Sequence, residues 1–205
     1  MSKVAIQGAA TGTGVFTLAS PATNTDRTLT LPDEAGTVLT SGTAASNIPG
    51  YGSQITEADI WRLTTDYTTS ATLSTLERID TGNSGLIGSG MSESSGVFTF
   101  PSTGIWLILS NALIISQSDN STLVHTQVTV DNGSNWNSVA YCEGGNSDTT
   151  FAARVTASSQ CFVDVTDTSN IKVRFTAASV GVSSSILGST NSTFTAFSFI
   201  RLGDT

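Results

Sequence analysis

The chain has 205 residues, only 12% of them charged, and a formal net charge of −8. This length suits one sandwich-sized domain with a small additional module. Nucleic acids and anionic membranes are poor candidate partners, because binding to either depends on clustered Lys and Arg side chains. No apolar run is long enough to cross a bilayer, and no secretory signal is expected from Ser2, Lys3 and Val4 after Met1.

The N-terminal part of the chain, residues 1–43, is predicted to be short, extended and rich in turns. Residues 15–21 and 27–32 alternate apolar and polar side chains, which is typical of β-strands, and each run ends at a proline. Asp33–Gly36 has the composition of a turn. Almost no large side chain here is available for burial, so this segment is not expected to build its own core.

A linker rich in Gly, Pro and Ser is expected at residues 44–58, and strand-like runs follow one another from Asp59 to Thr205. Residues 149–157 and 160–167 are predicted to form two separate strands. Asp131–Asn135, with the letters DNGSN, predicts a hairpin, because Asn-Gly accepts positive φ at low cost. No stretch has sustained helical periodicity, so the predicted class is all-β, with a sandwich or jelly roll as its architecture.

Two of the predicted strands are apolar on both faces, whereas a strand of a two-layer sandwich needs only one apolar face. In the first strand, one face carries Ile105, Leu107, Leu109, Leu113 and Ile115, and the other carries Trp106, Ile108, Ala112 and Ile114. In the second, one face carries Phe194, Ala196, Ile200 and Leu202, and the other carries Phe197 and Phe199. We expect one face to fill the core and the other to contact a second subunit, with a covering loop or the N-terminal segment as the alternative. The candidate interface residues are Trp106, Ile108, Ile114, Phe197 and Phe199, although the pattern leaves open which face contacts the other subunits.

Residues 96–109 and 191–203 resemble the strands of complement-type, tumour-necrosis-factor-like jelly rolls. The first stretch matches an aromatic, Pro and Gly strand entry through Phe98, Phe100, Pro101, Gly104 and Trp106. The second matches a final strand through Ser192, Thr193, Phe194 and Phe197. Trp106 stands where that family usually has Tyr, and Ala196 where it usually has Gly. The resemblance implies a ten-strand jelly roll over about residues 60–203, packed as a homotrimer.

Residues 24–41 resemble a module near the N-terminus of structural proteins of tailed phages, especially the fibre and head-decoration proteins of marine phages. The resemblance implies that this segment attaches the protein to the virion. The candidate attachment residues are Asp26, Arg27, Leu29, Leu31, Pro32, Asp33, Gly36 and Val38. Such a segment needs no core of its own if three copies wrap around one another or if it lies on a virion surface.

Catalytic and metal sites have little support in the sequence. His125 is the only histidine, and it is expected to be a surface or interface residue rather than a catalytic one. Three aspartates at strand ends, Asp131, Asp164 and Asp167, could line a calcium site, but their spacing matches no calcium loop and turn capping is the favoured interpretation. No cofactor is expected. Cys142 and Cys161 are predicted to be reduced and buried, with a bridge between neighbouring strands as the alternative.

A further hypothesis is sugar binding at the hairpin of residues 131–135. An aromatic ring among amide side chains is a common arrangement for contacts with sugars. The candidate glycan contacts are Asn132, Asn135, Trp136 and Asn137, with Asp119 and Asn120 as expected neighbours. The alternative is a tryptophan folded over the end of the sandwich.

The sequence thus predicts a non-enzymatic phage virion protein, of fibre or capsid-decoration type. Residues 1–43 would attach it to other virion proteins, residues 44–58 would link, and residues 59–205 would form a trimeric knob. The virion would be assembled in the bacterial cytoplasm. The alternative function is a fibre tip that binds a receptor or glycan on the host surface.

Overall fold

The computed structural model describes residue 11, residues 24–25, residues 55–79, residue 82 and residues 84–205. The chain divides into two compact units, residues 1–43 and residues 44–205. All the strands among the described residues lie in the second unit. The described residues form twelve strands and no helix: β1 Ala58–Leu63, β2 Ala71–Thr72, β3 Leu76–Arg78, β4 Ser92–Ser94, β5 Val97–Thr99, β6 Gly104–Ser116, β7 Asp119–Thr129, β8 Asn137–Asn146, β9 Ala153–Val165, β10 Lys172–Ala178, β11 Ser185–Ile186 and β12 Ala196–Gly203.

The strands form two antiparallel sheets that pack face to face. Sheet A has the order β9, β6, β12, β1, β3, with β11 pairing with β6 beyond the end of β12. Sheet B has the order β4, β5, β10, β7, β8, with β2 pairing with β10. Strands that are neighbours in a sheet are often distant in the chain, which is the connectivity of a jelly roll. The predicted all-β jelly-roll class is therefore confirmed. The described residues form twelve strands where ten were expected, and two of the twelve, β2 and β11, have only two residues each.

Alternating side chains explain why the two long central strands form where they do. Along β6 every second side chain, from Trp106 to Ser116, is buried, while the side chains between them are half-buried or exposed. β7 and β10 alternate in the same way, with Val124, Val173 and Phe175 inside. This period of two places one face of each strand in the core.

An aromatic cluster fills the centre of the sandwich. Phe175 of sheet B stacks on Phe197 of sheet A with ring centroids 3.7 Å apart and an interplanar angle of 11°. Phe98 contacts Phe199 and Phe175 with centroids at 5.0 and 5.7 Å. All four rings have 0% exposure. The rings therefore join the two sheets, and aromatic pairs of this kind contribute beyond their buried area.

The entry into β6 has the structure that its sequence motif predicts. Phe100 is 2% exposed and lies 5.2 Å, centroid to centroid, from the buried Trp106. Gly104 has φ of 137°, and a Cβ there would collide with the carbonyl oxygen of Gly203. Only glycine allows this close approach of the first and last residues of two paired strands.

A buried carboxylate holds the first strand of the domain. Asp59 is 4% exposed, and its Oδ2 accepts hydrogen bonds from Trp61 Nε1 and the Met91 amide, both at 2.8 Å. Arg78 completes the set with an Nη2–Oδ2 distance of 3.0 Å and lies over the Trp61 ring. The charge of Asp59 is therefore paired and hydrogen-bonded, as burial of a carboxylate requires.

Two strand boundaries differ from those predicted. β9 runs without a break through Ser158 and Ser159, because it pairs with β6 along its whole length. β12 begins at Ala196, so Phe194, which was placed on a strand face, lies in the preceding loop and is 37% exposed. The predicted hairpin at Asp131–Asn135 is present, with positive φ at Asn132 and Gly133.

Candidate functional site

The predicted interface residues lie on the wrong face of their strands. Trp106, Ile108, Ile114, Phe197 and Phe199 all have 0% exposure and belong to the sandwich core. A side chain already buried within one chain has no surface left for a second chain. The assignment is therefore corrected: the larger aromatic side chains turn inward, and the aliphatic face of β6 turns outward.

The outward face of sheet A, here called the sheet A outer face, carries an apolar row across four strands. Phe162 of β9 pairs with Leu107 of β6, Leu107 with Ile200 of β12, and Ile200 with Ala58 of β1. Phe162 is 69% exposed, and the other three are half-buried. The existence of a second apolar face, though not its identity, was correctly predicted.

A neighbouring row of the sheet A outer face is mixed in character. Leu109 pairs with Gln160 on one side and Ser198 on the other. A shallow depression of about 320 Å³ lies beside it, lined by Leu109, Asn111, Ser158, Ser159 and Gln160. The apolar row thus has a polar border, as protein interfaces commonly do.

The outward face of sheet B has a different chemistry. Six side chains from β10, β7, β8 and the preceding hairpin form a continuous series of contacts, here called the polar row: Trp136, Arg174, Gln127, Ser138, His125 and Tyr141. The Arg174 guanidinium lies 4.3 Å from the Trp136 ring centroid, and Arg174 Nε donates to Gln127 Oε1 at 2.8 Å. Gln127 Nε2 donates to Ser138 Oγ at 3.2 Å.

The polar row continues to two further rings. His125 Nδ1 lies 3.0 Å from the same Ser138 Oγ, and the His125 ring lies 5.8 Å from that of Tyr141. Tyr141 is 59% exposed. His125 is thus a half-buried surface histidine bonded to a serine. Sequence reasoning singled out Trp136 and His125 separately and placed Gln127 on the same strand face as His125, but it did not connect these residues to Arg174. Buried and half-buried side chains alternate along β7 and β10, and this alternation places Gln127 and Arg174 on the outward face of sheet B. That pattern was the signal in the sequence that could have joined these residues.

The hairpin predicted to bind sugar uses much of its polarity internally. Asn135 donates to Asp131 through its amide N at 2.8 Å and its Nδ2 at 2.6 Å. Asn132 and Trp136 lie in the same hairpin, and Asn137 begins β8, paired with Val128. Asp119 and Asn120 begin β7 and so lie about 30 Å from this hairpin, at the far end of the strand. They are therefore not its neighbours, and the prediction about them was wrong.

Two of the three candidate calcium ligands, Asp131 and Asp167, are hydrogen-bonded within their own turns. Asn135 and Thr129 donate to Asp131 and lower the pKa of its carboxyl to about 2. The amide of Ser169 and the Asn170 side chain lower the pKa of Asp167. Asp164 lies on β9, opposite Ile105 of sheet A. In the part of the chain that the structure describes, no group of three His, Cys, Asp or Glu side chains could hold a metal ion.

Both cysteines are free thiols, and burial raises the pKa of each. Cys142 is buried and Cys161 is half-buried. The candidate attachment residues Asp26, Arg27, Leu29, Leu31, Pro32, Asp33, Gly36 and Val38 lie outside the described residues. Within the described ranges, no helix has the length and apolar character needed to span a membrane.

Comparison with solved structures identifies the fold as a tumour-necrosis-factor-like jelly roll. The Eiger TNF from S. frugiperda superposes with a TM-score of 0.58 at 9% identity, covering 74% of this chain and 96% of that chain. Murine APRIL at pH 5.0 gives a TM-score of 0.51 at 12% identity, covering 71% and 98%. No family model matches the chain, and no curated protein matches it significantly. At these identities the similarity establishes the fold alone.

Proposed function

We propose that this chain is a non-enzymatic virion protein, of fibre or capsid-decoration type, whose jelly-roll domain forms a homotrimeric knob through the sheet A outer face. The observation that carries this proposal is the apolar row of Phe162, Leu107, Ile200 and Ala58, which crosses four paired strands. The core is filled by the opposite face of the same strands, so the row is not needed to close the sandwich.

A second copy of this chain is the occupant that suits the row best. Four strands at about 4.8 Å spacing make a stripe about 14 Å wide. Soluble monomers rarely expose large contiguous apolar patches, and such patches mark interaction sites. The tumour-necrosis-factor-like pattern of residues 96–109 and 191–203 implies a homotrimer, and in a trimer each copy would cover the row of another.

The virion context rests on the phage-like pattern of residues 24–41. Three N-terminal segments held together by a trimeric knob would have a high effective concentration for one another. That would allow them to wrap together or to bind other virion proteins without a core of their own. The protein would then be assembled into the particle in the bacterial cytoplasm, and it would need no cofactor.

Sedimentation of the full chain at micromolar concentration tests the assembly. The expected result is a single species with the mass of three chains. A stable, soluble monomer over the whole concentration range would contradict the trimer, whatever the fate of the virion assignment.

Deletion of residues 1–43 tests the division of roles. The shortened chain should still fold and sediment as a trimer, because every described strand lies after residue 57. It should no longer be incorporated into particles. Normal incorporation without residues 1–43 would assign attachment to the knob instead.

A second candidate function is recognition of a glycan on the host surface by the same domain. The observation that favours it is the polar row, where aromatic, amide and hydroxyl groups are held on a rigid sheet. Sugars are bound by such combinations of aromatic faces and planar polar side chains, and a trimer would multiply weak contacts by presenting three sites.

A further inference from the structure

The distribution of positive charge is uneven in this acidic chain. The described residues contain six Lys and Arg side chains, and three of them form ion pairs: Arg62 with Glu77, Arg78 with Asp59 and Arg201 with Asp204. Among the described residues, Arg154, Lys172 and Arg174 have no ion pair. Arg154 is on β9 of sheet A, whereas Lys172 and Arg174 are two residues apart on β10 and share the outward face of sheet B.

Arg174 is held in a fixed orientation. Its flat face lies on Trp136, and its Nε is bonded to Gln127 Oε1. Within the described chain its two terminal nitrogens have no hydrogen-bond partner. Partial desolvation, without a carboxylate to compensate it, lowers the pKa of Arg174. A planar, oriented guanidinium with two free terminal NH₂ groups is suited to bidentate binding of a carboxylate.

The rest of the polar row suits a sugar rather than a peptide. Tyr141 offers an exposed ring, and Ser138, His125 and Thr176 provide hydroxyl and imidazole groups beside it. A peptide that adds to a sheet needs free backbone groups along an edge. The polar row is centred on β7, which is paired on both sides, with β10 and β8, so its backbone groups are already used.

The separation of the two ends indicates the size of the ligand. Arg174 pairs with Gln127, and Tyr141 pairs with His125. The two ends of the polar row are therefore two strand spacings apart across the sheet and two residues apart along β7. Two strand spacings of about 4.8 Å and a rise of about 6.6 Å give a separation of about 12 Å. This is longer than one sugar ring. Glu143 is two residues beyond Tyr141, away from Arg174, and limits the site for an anionic ligand at that end.

We infer that the polar row binds an acidic oligosaccharide, with a sugar carboxylate on Arg174 beside Lys172 and another ring stacked on Tyr141. The inference rests on the second proposed function, recognition of a host glycan, and adds its site and its chemical class. All the residues belong to one chain, so the site does not depend on the trimer.

Calorimetric titration of the full chain with two carboxylated probes, trigalacturonate and a sialylated trisaccharide, tests the inference. Controls are the methyl ester of trigalacturonate, a neutral trisaccharide and triglutamate. At least one carboxylated probe should bind at millimolar concentration, and the ester and triglutamate should bind at least about tenfold more weakly. Binding should weaken as salt is raised, because the contact is partly between charges.

Variants locate the site. Arg174→Gln should weaken binding by about tenfold or more, Arg174→Lys should give an intermediate loss, and Tyr141→Ala should weaken binding without changing thermal stability. Arg154→Gln makes the same charge change on sheet A and should have no effect. Equal losses for Arg174→Gln and Arg154→Gln would overturn the site.

The remaining outcomes show whether the proposed class of ligand is wrong or whether glycan recognition itself is wrong. Equal binding of the methyl ester or the neutral sugar would overturn the acidic class but leave glycan recognition standing. Equal binding of triglutamate would indicate an acidic peptide instead of a sugar. Binding of no probe at all would overturn this inference and count against glycan recognition, while the trimer would be judged by sedimentation alone.

Discussion

The two outward faces of the sandwich cover the same aromatic core, but they differ in chemistry. The sheet A outer face presents Phe162, Leu107 and Ile200 in one register row, whereas sheet B presents Tyr141, His125 and Arg174. A sandwich needs only the inner face of each sheet to be apolar. Sheet B follows that rule and sheet A does not. Our proposal assigns the second apolar face to assembly, and each of the two faces can be tested separately.

The largest effect should come from a charge placed on the inner face of sheet A. Phe197→Asp would remove a ring stacked at 3.7 Å on Phe175 and would leave a carboxylate without a partner in the core. Loss of a buried Phe costs about 3–5 kcal/mol, and an unpaired buried polar group adds several more. That sum is comparable to the whole stability of a domain. We expect no folded protein by circular dichroism.

Phe197→Leu is the matched control, and it should fold with reduced stability. A folded, monomeric Phe197→Asp variant would contradict the location of Phe197 in the core. It would also restore the interface assignment that the sequence alone favoured.

The second effect concerns assembly rather than folding. Leu109→Lys changes a half-buried leucine on the sheet A outer face, and Leu123→Lys makes the same change on the outward face of sheet B. Both variants should fold. Only Leu109→Lys should shift sedimentation from trimer towards monomer, because it would place one lysine of each chain at the border of the apolar row. We expect the dissociation constant of the assembly to rise by at least about tenfold, since burial of each leucine contributes about 1.5–3 kcal/mol.

Two other outcomes for the leucine variants would change the assignment of the interface. Dissociation by Leu123→Lys alone would move the interface to sheet B. Dissociation by both would indicate that the variants act on the fold rather than on one face.

The sequence predicted the class of the fold well but predicted the faces poorly. The period of two along residues 104–116 is visible in the letters, and it correctly indicated two apolar faces. It could not indicate which face turns inward, because that depends on Phe175 and Phe98, which are supplied by the other sheet. The sequence predicted a break at Ser158 and Ser159, but the pairing of β9 with β6 continues through both residues and outweighs their local preference.

The polar row could not be predicted from local patterns in the sequence either. Arg174 contacts Trp136 from a strand far along the chain, and it contacts Gln127 because β10 happens to pair with β7. Neither partner is predictable without the strand order. The individual residues could be named as exposed aromatics or as a lone histidine, but their arrangement could not.

A third prediction tests the junction between the two sheets. Asp119 begins β7 of sheet B, and its backbone oxygen accepts from Ser116 Oγ at the end of β6 in sheet A, at 3.0 Å. Burial alone would raise the pKa of Asp119, but Thr122, Ser121 and Gly181 donate to its carboxylate and lower the pKa to about 2.

This shift determines the direction of the pH dependence. The unfolded carboxyl has a pKa near 3.9, so the unfolded chain binds the proton first as the pH falls. Stability from Asp119 should be present above about pH 4 and lost towards pH 2. We expect a contribution of about 1 kcal/mol, allowing for partial solvent screening.

Urea unfolding at pH 7 and at low pH should show Asp119→Asn less stable than the original chain at pH 7, with a smaller gap at low pH. Asp164→Asn, on an exposed position of β9, is the control and should be close to neutral at both. A constant gap for Asp119→Asn would show that its ionised form is not what stabilises the junction.

The smallest effects on stability should come from two exposed aromatic side chains, one on each outward face. Phe162 of sheet A is 69% exposed and Tyr141 of sheet B is 59% exposed, so each buries little within its own chain. Phe162→Ala and Tyr141→Ala should each change the stability of the isolated protomer by no more than about 0.5 kcal/mol, as is usual for surface positions.

Their effects on function should be opposite. Phe162→Ala should weaken the trimer in sedimentation and leave binding of a carboxylated sugar unchanged per chain. Tyr141→Ala should leave the trimer intact and weaken sugar binding. If both variants changed both properties, the two faces would not be independent; if Phe162→Ala left assembly unchanged, the apolar row would need another occupant than a second copy of this chain.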